Sequence, residues 1–174
     1  HPRVVSAIKE QAEKLIHTTN LFYIQPQIEL AELLVENSSL DQAFFCNSGT
    51  EANESALKLA RKYSREKGRG GYEIICFKNS FHGRTFGSLS ATGQEKFHQG
   101  FEPLLEGFKF VEFGELEQVK SALNKNTCAV LLEVVQGEGG VNPAPREFLF
   151  GLKELCEKEG VLLIIDEVQT GIGR

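Results

Sequence analysis

The chain has 174 residues, of which 25% are charged and 41% hydrophobic, with a formal net charge of -5. This length suffices for one domain with a core. Charges of both signs are interspersed, so nothing indicates binding to nucleic acid or to an anionic membrane surface. No apolar run reaches the length of a membrane span, and no secretion signal is visible. We therefore expect a cytoplasmic globular protein.

Two helical patterns open the chain. Apolar residues recur at helical spacing from Val4 to Ile16, and again from Pro26 to Glu36. Pro2 suits the first turn of a helix. Both patterns precede the alternation of strands and helices described next, so residues 1–40 are assigned to an N-terminal helical segment that leads into a larger domain.

Predicted strands alternate with predicted helices from residue 42 onward. The sequence predicts strands at 42–46, 73–77, 109–113, 129–135 and 161–165, helices at 50–67, 116–123 and 145–159, and an irregular stretch at 78–107. Several strands are continuously apolar, as expected when helices cover both faces of a sheet. The pattern predicts an α/β domain over residues 41–174 with a mostly parallel sheet.

The four cysteines are Cys46, Cys76, Cys128 and Cys156, and none forms a Cys-x-x-Cys pair. The first three lie in apolar, strand-like runs and the fourth lies on a helical pattern. We expect reduced core cysteines, and neither a disulfide framework nor a zinc site.

Polar clusters follow the predicted strands, at the edge where ligands of parallel sheets bind. The first runs from Asn47 to Ala52, ahead of a long helix. Backbone N–H groups of Ser48, Gly49 and Thr50 at a helix N-terminus would suit a phosphate. A plain helix cap without a ligand explains the same residues equally well.

A second cluster spans Phe81 to Thr85 in the irregular stretch. The aromatic ring of Phe81 could stack on a flat cofactor, and Arg84 could bind a carboxylate through two parallel hydrogen bonds. His82 could act as a base or ligand, although a lone histidine is more often merely hydrogen-bonded. A surface loop with a solvated arginine is the alternative.

The third cluster begins at Asp166, an acid at the end of a buried strand that needs a partner. A protonated pyridine nitrogen would be one such partner. A turn cap or, with the neighbouring Glu167, a magnesium site is the alternative, but no metal is predicted because further acids are few. The glycine-rich run 136–140 lacks the Lys-Ser/Thr of a nucleotide-binding P-loop, and no Gly-x-Gly-x-x-Gly follows a strand.

Taken in order, these motifs resemble the class III (subgroup II) aminotransferases, which have the fold-type I architecture of enzymes dependent on pyridoxal 5'-phosphate (PLP). The motifs are His1-Pro2, Asn20–Tyr23, Asn47–Glu54, Phe81–Thr85, Gln136–Gly140 and Asp166–Gly171. The resemblance implies the large PLP-binding domain. Within the family it points to members that transfer the amino group of N-acetylornithine to 2-oxoglutarate in arginine biosynthesis.

The resemblance also implies roles for individual residues toward the cofactor. Ser48, Gly49 and Thr50 would bind the phosphate of PLP. Phe81 and Val168 would pack on opposite faces of its ring.

Five further roles follow from the same resemblance. Asp166 would pair with the ring nitrogen of PLP, and Gln169 would hydrogen-bond the ring hydroxyl. Arg84 would bind the substrate α-carboxylate, and Tyr23 would contact the substrate side chain. Glu138 matches an acid that pairs with a late arginine and gates between the two substrates.

In the family, a lysine in a later glycine-rich run forms a Schiff base with the cofactor. This chain begins at His1 without any Met and ends at Arg174 before such a run. The resemblance therefore implies a catalytically incompetent segment of a larger homodimeric enzyme. Ornithine, succinylornithine, 4-aminobutyrate or a diamine remain alternative donors, and a non-catalytic phosphate- or partner-binding module remains an alternative function.

Overall fold

The computed structural model describes residues 1–172 and divides the chain into two compact units. The first unit is His1–Phe45, and the second begins at Cys46, five positions after the start of the large domain assigned from the sequence. The first unit contains helices α1 (Pro2–Lys14) and α2 (Gln25–Glu36), and neither helix has a buried side chain. Both predicted helices are confirmed, although α1 ends two residues before Ile16.

The second unit alternates strands with helices. Its helices are α3 (Gly49–Glu66), α4 (Phe86–Ala91), α5 (Leu116–Ala122) and α6 (Arg146–Glu159), and its strands are β1 (Glu73–Phe77), β2 (Phe108–Val111), β3 (Thr127–Glu133), β4 (Val135–Gln136), β5 (Asn142–Pro143) and β6 (Leu162–Asp166). The predicted boundaries of α3, α5, α6 and β1 agree with the structure to within one residue.

One parallel sheet organises this unit. Its strand order is β2-β1-β3-β6, and all three strand pairs are parallel. All seven residues of β3 are buried, which agrees with its continuous apolar sequence. The separate β4–β5 pair is antiparallel and two residues long. The predicted α/β class with a parallel sheet is confirmed.

Helices cover both faces of the sheet. Alternate residues of each strand point to opposite sides, so the same strands contribute to a core cluster on each face. On one side, Phe77 and Leu132 pack with Val119 of α5 and with Phe148 and Leu152 of α6. On the other side, the sheet packs against α3 and α4, through the buried residues Leu57, Ala60, Ile74, Cys76, Ala91, Cys128, Ala129 and Leu131. The two clusters form the core, and they fix the carboxyl edge of the sheet where the candidate site lies.

The strand predicted at 42–46 is wrong. These residues are irregular, and among residues 1–172 they form no backbone–backbone hydrogen bond. Because a strand requires a neighbour to pair with, apolar residues alone do not produce one. Phe44 is accordingly 74% exposed.

The prediction of four core cysteines is wrong for Cys46, which is exposed, and right for the other three, which are buried. Burial raises the pKa of the Cys156 thiol to about 11 and also raises the pKa values of Cys76 and Cys128. These three thiols are therefore protonated at neutral pH.

The stretch 78–107, predicted to be irregular, contains α4 and a single 3-10 turn at Glu95–Phe97. The six residues of α4 include glycine and two serines, which favour helices weakly. Its N-terminal N–H groups bond to Glu54, a distant residue on α3. A tertiary contact therefore supports a helix that local sequence does not predict. Among residues 1–172, no helix is both long and apolar enough to cross a membrane.

Candidate active site

A cleft of about 470 Å³ lies at the carboxyl edge of the parallel sheet. Of the ten residues that the resemblance assigned to the site, nine line this cleft: Ser48, Gly49, Thr50, Phe81, Arg84, Glu138, Asp166, Val168 and Gln169. The tenth, Tyr23, belongs to the first unit and is 96% exposed. Residues far apart in the chain thus meet because parallel strands end at one edge.

The N-terminus of α3 forms a cup with free hydrogen-bond donors. Ser48 caps the helix, and its hydroxyl accepts from the N–H of Glu51 at 3.3 Å. The N–H groups of Gly49 and Thr50 bond to no residue within 1–172. Together with the dipole of this 18-residue helix, these donors suit an anion.

Gly49 is required by the close approach of the neighbouring loop. A Cβ atom at this position would lie 2.5 Å from Cγ1 of Val168. Any larger side chain would therefore push Val168 away from the cup. The glycine keeps the helix N-terminus and the segment after β6 in contact.

Asp166 is buried at the floor of the cleft, with 8% of its surface exposed. Its Oδ2 atom is 2.8 Å from both Nδ1 of His82 and Nδ2 of Asn53, and its Oδ1 accepts from the N–H of Val168 at 3.0 Å. Burial alone would raise the pKa of Asp166. The hydrogen bonds and the nearby His82 outweigh burial and lower the pKa below its ordinary value. The site therefore stabilises an ionised carboxylate.

His82 and Asn53 orient this carboxylate. Since an ionised carboxylate only accepts hydrogen bonds, Nδ1 of His82 must be the donor toward Asp166. Asn53 donates from Nδ2 to both the His82 carbonyl and Asp166, at 2.8 Å each. Nε2 of His82 is buried and has no partner within residues 1–172. Sequence reasoning considered a role for His82 but gave none to Asn53, which it named only as part of the motif Asn47–Glu54.

Glu133 is a second buried carboxyl group that sequence reasoning missed. It ends β3 directly beside Asp166 of β6 in the sheet register, and it lines the cleft. Burial raises the pKa of Glu133, although the N–H of Phe81 donates to its Oε2 atom at 3.0 Å. The same signal that singled out Asp166, an acid at the end of an apolar strand, was present in the sequence at Glu133.

Arg84 reaches the cleft with its hydrogen-bond donors unused. Its guanidinium carbon lies 5.9 Å from the ring centre of Phe81 and 5.5 Å from that of Phe97. These distances allow cation–π attraction. Within residues 1–172 the guanidinium makes no hydrogen bond or ion pair, so its donors can bind an incoming carboxylate.

The glycine-rich loop after β4 also lines the cleft. The backbone of Gly137 lies so close to the Gln169 side chain that a Cβ atom at this position would overlap its amide oxygen. Glu138 beside it is exposed and lines the cleft. The loop closes with a hydrogen bond from the N–H of Gly140 to the carbonyl of Gly137 at 3.1 Å. Within residues 1–172, no cluster of three or more His, Cys, Asp or Glu residues has the geometry of a metal site.

Two curated sequences that match this chain carry the same name. Acetylornithine aminotransferase from Caldanaerobacter subterraneus is 55% identical over 175 residues, a match that covers 100% of this chain and 44% of that protein. Acetylornithine aminotransferase from Aquifex aeolicus is 54% identical and is covered to 46%. The chain therefore spans less than half the length of the curated relatives it matches.

Solved structures of two aminotransferases superpose on nearly the whole chain. Ornithine aminotransferase from Toxoplasma gondii superposes with a TM-score of 0.93 at 35% identity, over 98% of this chain and 42% of that one. N-acetylornithine aminotransferase from Stenotrophomonas maltophilia K279a gives a TM-score of 0.82 at 40% identity, over 100% of this chain and 43% of that one.

These structures confirm the predicted fold-type I large domain. The family model described as "Aminotransferase class-III" matches residues 1–174. The chain belongs to the class-III aminotransferase family.

Proposed function

We propose that the whole protein is a PLP-dependent aminotransferase that moves the amino group of N-acetylornithine to 2-oxoglutarate. The products would be N-acetylglutamate 5-semialdehyde and glutamate, as in arginine biosynthesis. The main support is that an anion cup, a buried acid and an arginine with free donors surround one cleft. The names of relatives that are 55% and 54% identical support this amino donor.

The residues of the cleft fit the chemical groups of PLP. The two free N–H groups at Gly49 and Thr50, with the hydroxyl of Ser48, would bind the phosphate. The apolar side chains of Phe81 and Val168 would contact the ring. The phosphate, the ring faces and the ring nitrogen of the cofactor thus each have a matching group in the cleft.

PLP, when bound, acts as an electron sink for the carbon that carries the amino group. Asp166 would supply the charge that this chemistry needs, because its lowered pKa keeps the carboxylate ionised, and an ionised carboxylate would pair with a protonated ring nitrogen. His82 and Asn53 hold both the charge and the orientation of Asp166. Gln169 would donate a hydrogen bond to the ring hydroxyl.

The substrate contacts are proposed from the same cleft. Arg84 would bind the α-carboxylate of each substrate through its free donors. Glu138 would gate between the two substrates by pairing with an arginine from outside residues 1–172. Tyr23 would contact the side chain of the amino donor.

We also propose a cytoplasmic homodimer in which residues 1–40 lead into the PLP-binding domain. The helices of the first unit bury none of their side chains, and Val4, Ile8 and Leu33 are each more than half exposed. Apolar helix faces of this kind are normally covered by another protein surface. A second copy of the chain would supply such a surface.

The proposed function is tested on the full-length protein loaded with PLP. Glutamate formation from 2-oxoglutarate is measured with N-acetylornithine, ornithine, succinylornithine and 4-aminobutyrate as donors. We expect the highest kcat/KM with N-acetylornithine. A higher value with 4-aminobutyrate would replace the proposed donor within the same family. PLP binding without turnover of any donor would instead support a non-catalytic module.

A further inference from the structure

Glu54 lies one helical turn after Thr50, so the two side chains share a face of α3. Thr50 lines the cleft, whereas Glu54 is partly buried beyond it. Oε1 of Glu54 accepts three hydrogen bonds from the segment that follows Arg84. The donors are the Thr85 hydroxyl at 2.6 Å, the Gly87 N–H at 2.8 Å and the Ser88 N–H at 3.1 Å.

Three hydroxyl groups connect this carboxylate to the anion cup. Oγ1 of Thr50 is 2.6 Å from Oγ of Ser88 and 3.0 Å from Oγ1 of Thr85, and the latter two atoms are 2.8 Å apart. Since a carboxylate only accepts, Thr85 gives its one proton to Glu54 and can only accept from the other hydroxyls. Thr50 can then accept from Ser88 while its own proton stays available to an anion in the cleft.

Two glycines make room for this network. A Cβ atom at Gly87 would overlap the carboxylate oxygens of Glu54, and one at Gly83 would overlap the hydroxyl oxygen of Thr50. Gly83 also has a φ of +128°, a backbone conformation that residues with a side chain rarely adopt. Arg84 lies between Gly83 and Thr85, so its backbone is fixed from both sides by groups that contact Thr50 or Glu54.

We propose that Glu54 is a positioning residue that ties the Arg84 segment to the anion cup, so that binding of the cofactor phosphate and of the substrate carboxylate depend on the same side chain. This inference rests on the proposed function. Glu54 itself touches neither ligand, and it acts through Thr85, Ser88 and Thr50. Its removal would release the N-terminus of α4 and the hydroxyl network together.

The experiment compares Glu54→Ala, Glu54→Gln and the matched control Glu66→Gln in the full-length protein. Glu66 lies on the same helix and is exposed, and within residues 1–172 its side chain makes a single 3.7 Å ion pair, to Lys62. The dissociation constants of PLP and of pyridoxal, which lacks the phosphate, are measured on the apoprotein by equilibrium dialysis. KM and kcat for donor and acceptor are measured at saturating PLP, and thermal unfolding is monitored in parallel.

We expect Glu54→Ala to weaken PLP binding about tenfold, because hydrogen bonds to a charged acceptor are lost. Pyridoxal binding should change less than about threefold, and both KM values should rise about five- to tenfold with a smaller change in kcat. Glu54→Gln should recover most of both affinities, because its Oε1 can still accept from Gly87 and Ser88. Glu66→Gln should match the wild type.

Unchanged PLP affinity and KM in Glu54→Ala would overturn the inference. Equal weakening of PLP and pyridoxal would overturn it as well, since that result indicates general loosening of the domain. If Glu54→Ala does not fold, Thr85→Val decides, because it removes only the hydroxyl that joins Glu54 to the network. Weaker PLP binding with little change for pyridoxal supports the positioning role, and unchanged PLP binding overturns it. A wild-type protein that binds no PLP refutes the proposed function itself, and this is distinguishable from every result above.

Discussion

The floor and the rim of the cleft differ in how their polar groups are satisfied. The floor consists of Asp166, His82, Asn53 and Glu133, which are all buried and hydrogen-bonded to one another or to the backbone. The rim consists of Arg84, Glu138 and Gln169, which are exposed. Apart from Nε2 of His82, the fold thus supplies partners to the polar groups of the floor, and it leaves those of the rim exposed.

This difference separates two tasks that the proposed reaction needs. In a buried network with fixed partners, folding itself establishes the ionisation state of the carboxylate. Such a network needs little reorganisation during turnover. Exposed groups with unused donors can bind and release successive substrates. Changes in the floor are therefore expected to reduce kcat, and changes in the rim are expected to act first on KM.

Asp166→Asn should give the largest effect of the variants considered. Asparagine keeps the size of the side chain but removes the negative charge that would face the cofactor ring nitrogen. We expect kcat of the full-length enzyme to fall about 10²- to 10³-fold. The measurement is the steady-state rate with N-acetylornithine at saturating PLP.

The matched control for this variant is Glu167→Gln, which removes a neighbouring exposed charge. We expect its kcat to stay near that of the wild type. A similar loss in both variants would mean that general electrostatics, and not the buried position of Asp166, sets the rate.

Arg84→Ala should give the second largest effect, in the rim. The loss of two charge-assisted hydrogen bonds to the α-carboxylate should raise KM about tenfold to a hundredfold, with a smaller change in kcat. Both substrates carry an α-carboxylate, so both KM values should rise. An increase for only one of them would contradict a shared carboxylate site at Arg84.

The sequence predicted the rim and the cup better than the floor. Gly49 of the cup and Arg84 of the rim belong to short motifs whose residue types indicate their chemistry, whereas in the floor only Asp166 was assigned a role from such a motif. Asn53 carries no local signal of a role, because its partner Asp166 lies 113 positions away. Glu133 carries the strand-end signal, but its partner Phe81 lies 52 positions away. Burial and pairing of this kind become visible only when the sheet register brings the strand ends together.

The secondary structure was likewise predicted best where the determining pattern is local in the sequence. Long periodic segments such as α3 and α6 were predicted to within one residue, since their helical pattern is repeated over several turns. The six-residue helix α4 was missed, because it is short and contains a glycine and two serines, and because part of its N-terminal capping comes from Glu54 on α3 in addition to the local Thr85–Ser88 capping box. The strand predicted at 42–46 failed for the converse reason: the apolar residues are present, but no described strand pairs with them.

Glu133→Gln tests the floor through the pH dependence of stability. The pKa of Glu133 is raised above its ordinary value of 4.5, so the folded protein binds this proton more tightly than the unfolded chain does. Stability is then lost as the pH rises from 4.5 through the raised pKa. Glutamine cannot ionise, so the variant avoids this loss while its Oε1 can still accept from the Phe81 N–H.

We expect the melting temperatures of Glu133→Gln and the wild type to be similar at pH 4. At pH 7 the variant should melt roughly a few degrees higher. Thermal unfolding at a series of pH values measures the difference. A variant that is less stable by the same amount at every pH would show that Glu133 contributes through its hydrogen bond and not through its buried charge.

Phe97→Leu should give the smallest effect, because Phe97 does not line the cleft and acts only through Arg84 and Phe81. Phe97 contacts the Arg84 guanidinium from one side and the Phe81 ring from another, with ring centres 5.5 Å apart. Leucine fills similar space but has no π face, so KM for both substrates should rise about two- to fivefold at unchanged kcat. Phe97→Tyr, which keeps the ring, should leave KM unchanged, and Phe101→Leu controls for loss of a nearby exposed ring. Phe97→Leu could instead lower kcat and leave KM unchanged. That result would mean that the Phe97 ring supports Phe81 and does not support Arg84. The proposed separation of kcat effects in the floor from KM effects in the rim would then fail at this residue.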